Sequence, residues 1–168
     1  SIGGNTGWQP IYFCLKVNDK ITAVVPSFIK YHSQGEFVFD HSWAQAYQSL
    51  GLNYYPKLLI ASPFSPVTGK RILVTQNINT LIKKKLFDFI KDFCKEQKIS
   101  SIHINFFEEN ELDFLKNEGF LIRYGEQFHF TNNNYNTFED FLNKLSYKIR
   151  KSINKERQSI KHQGIDIE

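Results

Sequence analysis

The feature that most constrains this chain is a succession of short apolar runs separated by stretches with helical periodicity. The runs 11–17 and 21–25 flank the turn-forming tripeptide at 18–20, so they predict a β-hairpin whose second strand is closed by Pro26. The other strand-like runs occupy residues 36–39, 57–61, 71–75, 102–106 and 121–130. The chain is therefore expected to be an α/β protein with one sizeable core.

Helix signals separate these runs. Ser42 with Gln45 fits a capping box for a short first helix, and Asn79 or Thr80 caps a longer second one. A third helical stretch, 110–118, lies between two strand-like runs and predicts a β-α-β unit.

The last helical stretch carries most of the positive charge. Thr137 with Asp140 forms its capping-box start, and Gly164 is its expected end. Seven cations and one acid between 144 and 161 give that segment +6, in a chain whose total is +4. A local field of this kind implies a phosphate-bearing partner, unless acids elsewhere in the protein neutralise it. The cations predicted to bind phosphate or tRNA are Lys144, Lys148, Arg150, Lys151 and Lys155.

Composition narrows the class of protein further. The 168 residues include no methionine, and the end breaks off as a strand-like alternation begins, so both ends are expected to be cut from a longer protein. No apolar run approaches the ~20 residues of a transmembrane helix and no signal peptide opens the chain, which predicts a cytoplasmic protein. Cys14 and Cys94 are expected to be reduced core residues, and His103 and His129 structural residues in strands. No metal site is predicted, and no nucleotide-hydrolase or hydrolase motif is present.

Two regions carry a resemblance to a known family. Residues 102–120 resemble the closing β-α-β unit of the GNAT acyltransferase superfamily, with Lys116, Gly119 and Phe120 in a Lys-x-x-Gly-Phe-like corner. The last helix is similar to that of Fem-type aminoacyltransferases, with an acidic-apolar opening, a Lys-x-Arg-x-x-Ile basic run and a Gly-Ile strand start. Four ordered blocks extend the resemblance to the FemAB-like family, described as acting in peptidoglycan biosynthesis or recognition: 6–10, 35–40, 54–58 and the proline-rich 62–69.

The resemblance implies a mixed, mostly antiparallel GNAT-like sheet flanked by helices, in the first of two GNAT-like halves. Residues 1–136 would form the N-terminal domain, 137–164 a long basic connecting helix, and 165–168 the start of a second domain. The implied activity is transfer of an acyl or aminoacyl group to an amine. The implied partners are the missing C-terminal half and a tRNA or nucleotide-linked cell-wall precursor.

The donor stays open at this point. Classical GNAT enzymes hold the pyrophosphate of coenzyme A on a glycine-containing loop that opens the central helix, whereas residues 76–79 contain no glycine. Either this half binds no cofactor, or the donor, acyl-coenzyme A or aminoacyl-tRNA, sits in the missing half.

Amine acylation needs a base, donors for the developing oxyanion and cations for the phosphates of the donor. Asp40, at a strand-to-helix junction, is the candidate base, although it would also serve as a helix cap. Tyr54 and Tyr55 are candidate oxyanion or leaving-group donors, unless they only pack at a strand edge. Substrate binding is predicted for Lys57, Thr68, Lys70 and Arg71, the alternative being that the cations are merely solvated.

Two functions from different classes therefore compete. The first is an acyl- or aminoacyltransferase of cell-wall metabolism, with a coenzyme A-dependent GNAT enzyme as its variant. The second is a non-catalytic module that binds nucleic acid or another anionic partner through the basic helix. Whether the fragment is active alone stays open.

Overall fold

The computed structural model describes residues 2–75 and 79–165. The chain separates into two units, Ser1–Arg123 and Tyr124–Glu168, which are described individually. The predicted division at 136/137 and 164/165 stays a prediction, and the residues expected to open a second domain lie almost wholly outside the described part. Residues 76–78, most of the predicted glycine-free turn, also lie outside it.

The first unit is built on a five-stranded mixed sheet. Its strands are β1 (Trp8–Val17), β2 (Lys20–Lys30), β3 (Lys57–Ile60), β4 (Leu73–Val74) and β5 (Ile102–Ile104). The order is β1-β2-β3-β5, and β4 pairs with β2. Only the β3–β5 ladder is parallel; the other pairs are antiparallel. The predicted mixed, mostly antiparallel α/β fold is confirmed, and it is consistent with a GNAT-like fold.

The hairpin is confirmed, because β1 and β2 pair along their whole length. Asn18 and Asp19 both have positive φ, of 49° and 60°, which matches the twist of the flanking strands. The prediction that Pro26 closes the second strand is wrong: β2 continues to Lys30. Proline is tolerated there because β2 has no ladder partner for residues 25–27 on the side of β3 and β4, within the described chain.

Five α-helices accompany the sheet in the described residues: α1 (His41–Ser49), α2 (Thr80–Glu96), α3 (Leu112–Asn117), α4 (Phe138–Asn143) and α5 (Tyr147–His162). The side chain of Asn79 accepts from the N–H of Leu81, so the predicted cap of α2 is confirmed. Helix α2 buries one face against the sheet through Leu86, Phe87, Ile90 and Cys94. None of the described helices is long and apolar enough to cross a membrane.

Several local predictions for the first unit are wrong. Residues 36–39 and 121–130 form no strand, so the predicted β-α-β unit lacks its second strand. The run 71–75 is reduced to the two residues of β4. Ser42 does not cap α1; Asp40 occupies the N-cap position without a side-chain capping bond, because its carboxylate is bound elsewhere. Cys94 is buried as expected, whereas Cys14 is exposed on β1.

The second unit contains α4 and α5. The predicted capping box is confirmed, since Thr137 accepts from the N–H of Asp140 and Asp140 accepts from the N–H of Thr137. The prediction of a single long helix is wrong, because one helix ends at Asn143 and the next begins at Tyr147. Ser146 has extended backbone angles (φ −60°, ψ 151°), which interrupt the helical hydrogen-bond ladder. Gly164, with φ of +71°, ends α5 as predicted.

Candidate functional site

A fork in the sheet creates the main cavity of the first unit. Strand β2 pairs with β4 at residues 23–24 and with β3 at residues 28–30, so the two partner strands diverge between these positions. A cavity of about 350 Å³ opens at the fork. It is lined by Ile2, Tyr12, Pro26, Phe28, Ala61, Ser62, Pro63, Lys70 and Arg71. The cavity thus lies at the carboxyl end of β3, one of the two parallel strands, where open sheets commonly bind ligands.

Lys70 and Thr68 are both exposed on the proline-rich loop that follows β3. Lys70 lines the cavity, whereas Thr68 is not among the lining residues. Tyr12 and Ser62 also line the cavity and supply hydroxyl groups, and sequence reasoning missed both. Tyr12 stands next to the apolar Ile11 within a strand, so its sequence carried no functional signal.

Arg71 is 8% exposed, and its guanidinium is used by the protein itself. Nε donates to the carbonyl of Asn105 at 2.8 Å, and Nη2 donates to the carbonyl of Val67. Burial lowers the pKa of Arg71, and the nearby carboxylate of Glu111 opposes that shift. Arg71 therefore forms part of the cavity wall and fixes the loop to the end of β5.

Glu111 holds the backbone on the other side of Arg71. Its carboxylate accepts from the N–H of Arg71 at 3.2 Å and from the N–H of Ile72 at 3.1 Å. Glu111 is itself 8% exposed and follows Arg71 by forty positions. No sequence signal distinguished it from the neighbouring acids at 108 and 109.

The predicted catalytic residues lie together, but in a different place. Asp40 Oδ2 accepts from the hydroxyl of Tyr54 at 2.7 Å and lies 2.6 Å from Nζ of Lys57. Lys57 also donates to Oγ of Ser33 at 2.8 Å, and Ser33 shares a 2.8 Å hydrogen bond with the hydroxyl of Tyr55. Lys57 begins β3, so this network lies about 10 Å from the cavity end of the strand at 3.3 Å per residue.

Two further charged residues, both missed by sequence reasoning, complete the buried network. Glu36 Oε2 lies 2.9 Å from Nζ of Lys57, and Glu36 Oε1 lies 3.9 Å from Nζ of Lys30. The Lys30 ammonium also lies 3.7 Å from the ring centroid of Trp8. We call Lys30, Ser33, Glu36, Asp40, Tyr54, Tyr55 and Lys57 the buried polar network; its four charged side chains are 0–1% exposed.

Burial and charge pairing shift the pKa values of this network in opposite directions. Burial alone raises the pKa of Asp40, but hydrogen bonds led by that of Lys57 outweigh it and lower the pKa to about 2. Burial raises the pKa of Glu36 and lowers that of Lys30 to about 8. The pKa of Tyr54 is raised by burial and then by its bond to Asp40. Asp40 is thus a solvent-inaccessible carboxylate with a very low proton affinity.

His103 on β5 packs edge-on against the ring of Tyr54, with ring centroids 5.9 Å apart. Its Nε2 shares a 2.9 Å hydrogen bond with Oγ of Ser101, which confirms a structural histidine in a strand. Burial, together with the charge of Lys57, lowers its pKa to about 4. His129, in contrast, is exposed and lies outside any strand.

The predicted phosphate-binding cations lie on α5 and just before it, in the second unit. Lys144, Lys148, Lys151 and Lys155 are exposed, and Arg150 is half-buried with an Nη1 donating to Asn143 at 3.4 Å. Among the described residues none of these five cations has a carboxylate within 4.0 Å. Helix α5 buries none of its residues.

The structure therefore places the predicted site residues in separate locations. Asp40, Tyr54, Tyr55 and Lys57 are joined in the buried polar network. Lys70 and Arg71 line the cavity, and Thr68 lies exposed outside its lining. The basic cations lie in the second unit. The catalytic and binding roles assigned to them stay predictions. No group of three or more histidine, cysteine or acidic side chains placed to hold a metal ion occurs within 2–75 and 79–165.

Comparison with known protein families gives a match over the whole chain. The family model described as FemAB-like, for peptidoglycan biosynthesis and recognition, matches residues 1–168, which is the whole chain. No curated protein and no solved structure matches the chain.

Proposed function

The chain belongs to the FemAB-like family of peptidoglycan biosynthesis and recognition, and on that premise we propose that it takes part in transferring an acyl or aminoacyl group to an amine of a cell-wall precursor. The observation that carries this proposal is the cavity at the fork of the sheet, with Lys70 at its wall. Its volume of about 350 Å³ lies within the range of small-molecule sites.

The cavity combines apolar walls with a few polar groups. Pro26, Phe28 and Ala61 provide apolar surface for the methylene and methyl groups of a peptide side chain. The ammonium of Lys70 suits a phosphate or carboxylate of a nucleotide-linked precursor. The hydroxyls of Tyr12 and Ser62 can donate hydrogen bonds to a carbonyl oxygen that becomes negative during the reaction.

The proposed reaction forms a C–N bond between the acceptor amine and the carbonyl carbon of the donor. It breaks the C–O ester bond of an aminoacyl-tRNA or the C–S bond of an acyl-coenzyme A. The amine loses one proton, and the leaving oxygen or sulfur takes one. The same balance of atoms holds for either donor and requires no cofactor.

Asp40, Tyr54 and Tyr55 receive a positioning role in this proposal. A general base must come within hydrogen-bond reach of the amine, whereas Asp40 is 1% exposed and paired with Lys57. The buried polar network instead connects β2, the start of α1 and β3, and so supports the strand that ends at the cavity.

The test is a transfer assay with both donor classes. The chain and Lys70→Ala are each incubated with labelled aminoacyl-tRNA or labelled acyl-coenzyme A and a nucleotide-linked muramyl peptide as the amine acceptor. We expect label transfer that Lys70→Ala lowers at least ~10-fold, the effect of losing one charged contact. Lys85→Ala, an exposed lysine on α2, should leave the rate unchanged. Absence of transfer from both donors would contradict the proposal.

A second candidate function rests on a different observation. Helix α5 buries none of its residues, and its Lys148, Lys151 and Lys155 have no carboxylate within 4.0 Å among the described residues. This favours a non-catalytic module that binds nucleic acid or another polyanion. It predicts tRNA binding that weakens steeply with salt and survives Lys70→Ala.

A further inference from the structure

We propose that Arg71 and Glu111 are positioning residues that lock the proline-rich loop 62–70 and thereby aim Lys70 into the cavity. The inference rests on the proposed function for its substrate, but the lock itself is a property of the described chain. Arg71 thus has a positioning role instead of the direct substrate binding predicted from the sequence. Glu111, which the sequence did not single out, has a positioning role as well.

The residue before Lys70 is fixed to the chain segment that follows β5. The N–H of Gly69 donates to the carbonyl of Phe106 at 3.0 Å, and Gly69 forms a parallel bridge with Phe107. The loop therefore adds one isolated parallel bridge to the segment that follows β5. This contact fixes the position of the backbone immediately before Lys70.

The residue after Lys70 is fixed on two sides. The carboxylate of Glu111 accepts the N–H groups of Arg71 and Ile72, at 3.2 and 3.1 Å. The guanidinium of Arg71 reaches back to the carbonyls of Asn105 and Val67. A buried carboxylate that accepts two successive N–H groups tolerates little displacement of either, because an unpaired buried charge is costly.

Lys70 is thus an exposed side chain between two immobilised neighbours. Three groups of Arg71, its N–H, Nε and Nη2, donate hydrogen bonds within the protein, and the residue is 8% exposed, so its charge is directed inward. Because the lock removes conformational freedom before the ligand arrives, it lowers the entropy cost of binding by Lys70.

A thermodynamic cycle tests the mechanism. The variants are Glu111→Gln, Lys70→Ala and the double variant, with Glu109→Gln, an exposed acid of the same turn, as the control. The readouts are the acceptor KM and kcat in the transfer assay, and the Kd for inorganic pyrophosphate. We expect Glu111→Gln to raise KM and Kd roughly 10-fold with kcat within about 2-fold, and to change neither by more than about 2-fold when Lys70 is absent.

Hydrogen exchange supplies a readout that needs no turnover. We expect the amides of Gly69, Arg71 and Ile72 to exchange at least ~10-fold faster in Glu111→Gln and in Arg71→Lys, while amides of the β1–β2 hairpin stay unchanged. Glu111→Asp replaces Glu111→Gln if the latter does not fold. Unchanged exchange at Gly69 in both variants, or equal effects of Glu111→Gln with and without Lys70, overturns the inference. Absent transfer with faster loop exchange would refute the proposed function and leave the lock standing.

Discussion

At the scale of single residues, the main energetic feature is the burial of four charges. Lys57 is the centre, because Nζ lies within 3 Å of both Asp40 and Glu36. Lys30 is the second cation, and its ammonium is held by Glu36, the carbonyl of Gln34 and the ring of Trp8. An intact network of this kind adds little net stability, but loss of one partner leaves a buried charge unpaired.

Replacing Lys57 by methionine should therefore destabilise the protein strongly. The variant Lys57→Met leaves the carboxylates of Asp40 and Glu36 buried without their nearest cation, which costs about 3–5 kcal/mol. Urea unfolding followed by circular dichroism measures this loss. Lys85→Met on α2 is the matched control, and a loss no larger than its own would contradict the prediction.

His103 should make the stability depend on pH. Its pKa is 6.5 in an unfolded chain and about 4 in the folded protein, so between these values only the unfolded state binds the proton. Stability from this residue is present above pH 6.5 and is lost as the pH falls to about 4, by roughly 3 kcal/mol.

The measurement compares urea unfolding at pH 7 and pH 4.5 for the wild type, His103→Gln and the exposed control His129→Gln. His103→Gln should lose less stability on acidification than the other two proteins. An identical loss in all three would show that His103 does not carry the effect.

At the level of elements, the loop that follows β2 and the loop that follows β3 approach each other closely at Gly35. Gly35, in the loop between β2 and α1, has φ of +77°. A Cβ there would lie 2.6 Å from the ring of Phe64, which belongs to the proline-rich loop. This close approach brings the two loops together over the ring of Trp8, which lies 5.0 Å from that of Phe64.

The variant Gly35→Ala should lose stability from two causes, the positive φ and the overlap with Phe64. Gly51→Ala isolates the first cause, because Gly51 has φ of +70° with no atom within 4 Å of its Cβ position. We expect a loss of about 1 kcal/mol for Gly51→Ala and a further 1–3 kcal/mol for Gly35→Ala. Thermal unfolding of both variants measures the difference, and equal losses would exclude a steric contribution.

At the scale of the whole molecule, charge is segregated between the two units. Helix α5 and the residues before it hold the cluster of cations, while the buried charges of the first unit are paired. Within the second unit, the guanidinium of Arg157 on α5 lies 4.4 Å from the ring centroid of Phe138. Lys148, Lys151 and Lys155 on the same helix are exposed.

The combined replacement of Lys148, Lys151 and Lys155 by glutamine should weaken tRNA binding and flatten its salt dependence. Each phosphate contact contributes about 0.7–0.9 to the slope of log K against log salt, so the slope should fall by about 2–3. Filter binding at several salt concentrations measures it. The control replaces the exposed lysines 16, 20 and 98 of the first unit, and an equal fall for both triple variants would refute a specific role for α5.

The elements with local signals were predictable from the sequence. The β1–β2 hairpin, the Asn79 cap, the Thr137–Asp140 capping box and the glycine end of α5 each depend on residues a few positions apart. The hairpin turn, the two caps and the helix end are each set by residues close together in the sequence, so the order of the residues determines them. The family resemblance and the mixed, mostly antiparallel fold were predictable too, because they follow from several such blocks in order.

Contacts between polar residues that are distant in the sequence depend on the tertiary structure. Asp40 was predictable as a functional or capping residue, but its pairing with Lys57 depends on β2 and β3 lying side by side. Glu111 reaches Arg71 across forty residues, and Pro26 stays inside β2 because the neighbouring strands diverge there. The hairpin turn, the helix caps and the net charge of residues 144–161 follow from the sequence alone, because each depends on near neighbours, whereas the predicted strands at 36–39 and 121–130 do not form. Burial and pairing of charges depend on strand register and loop packing, which bring distant residues into contact.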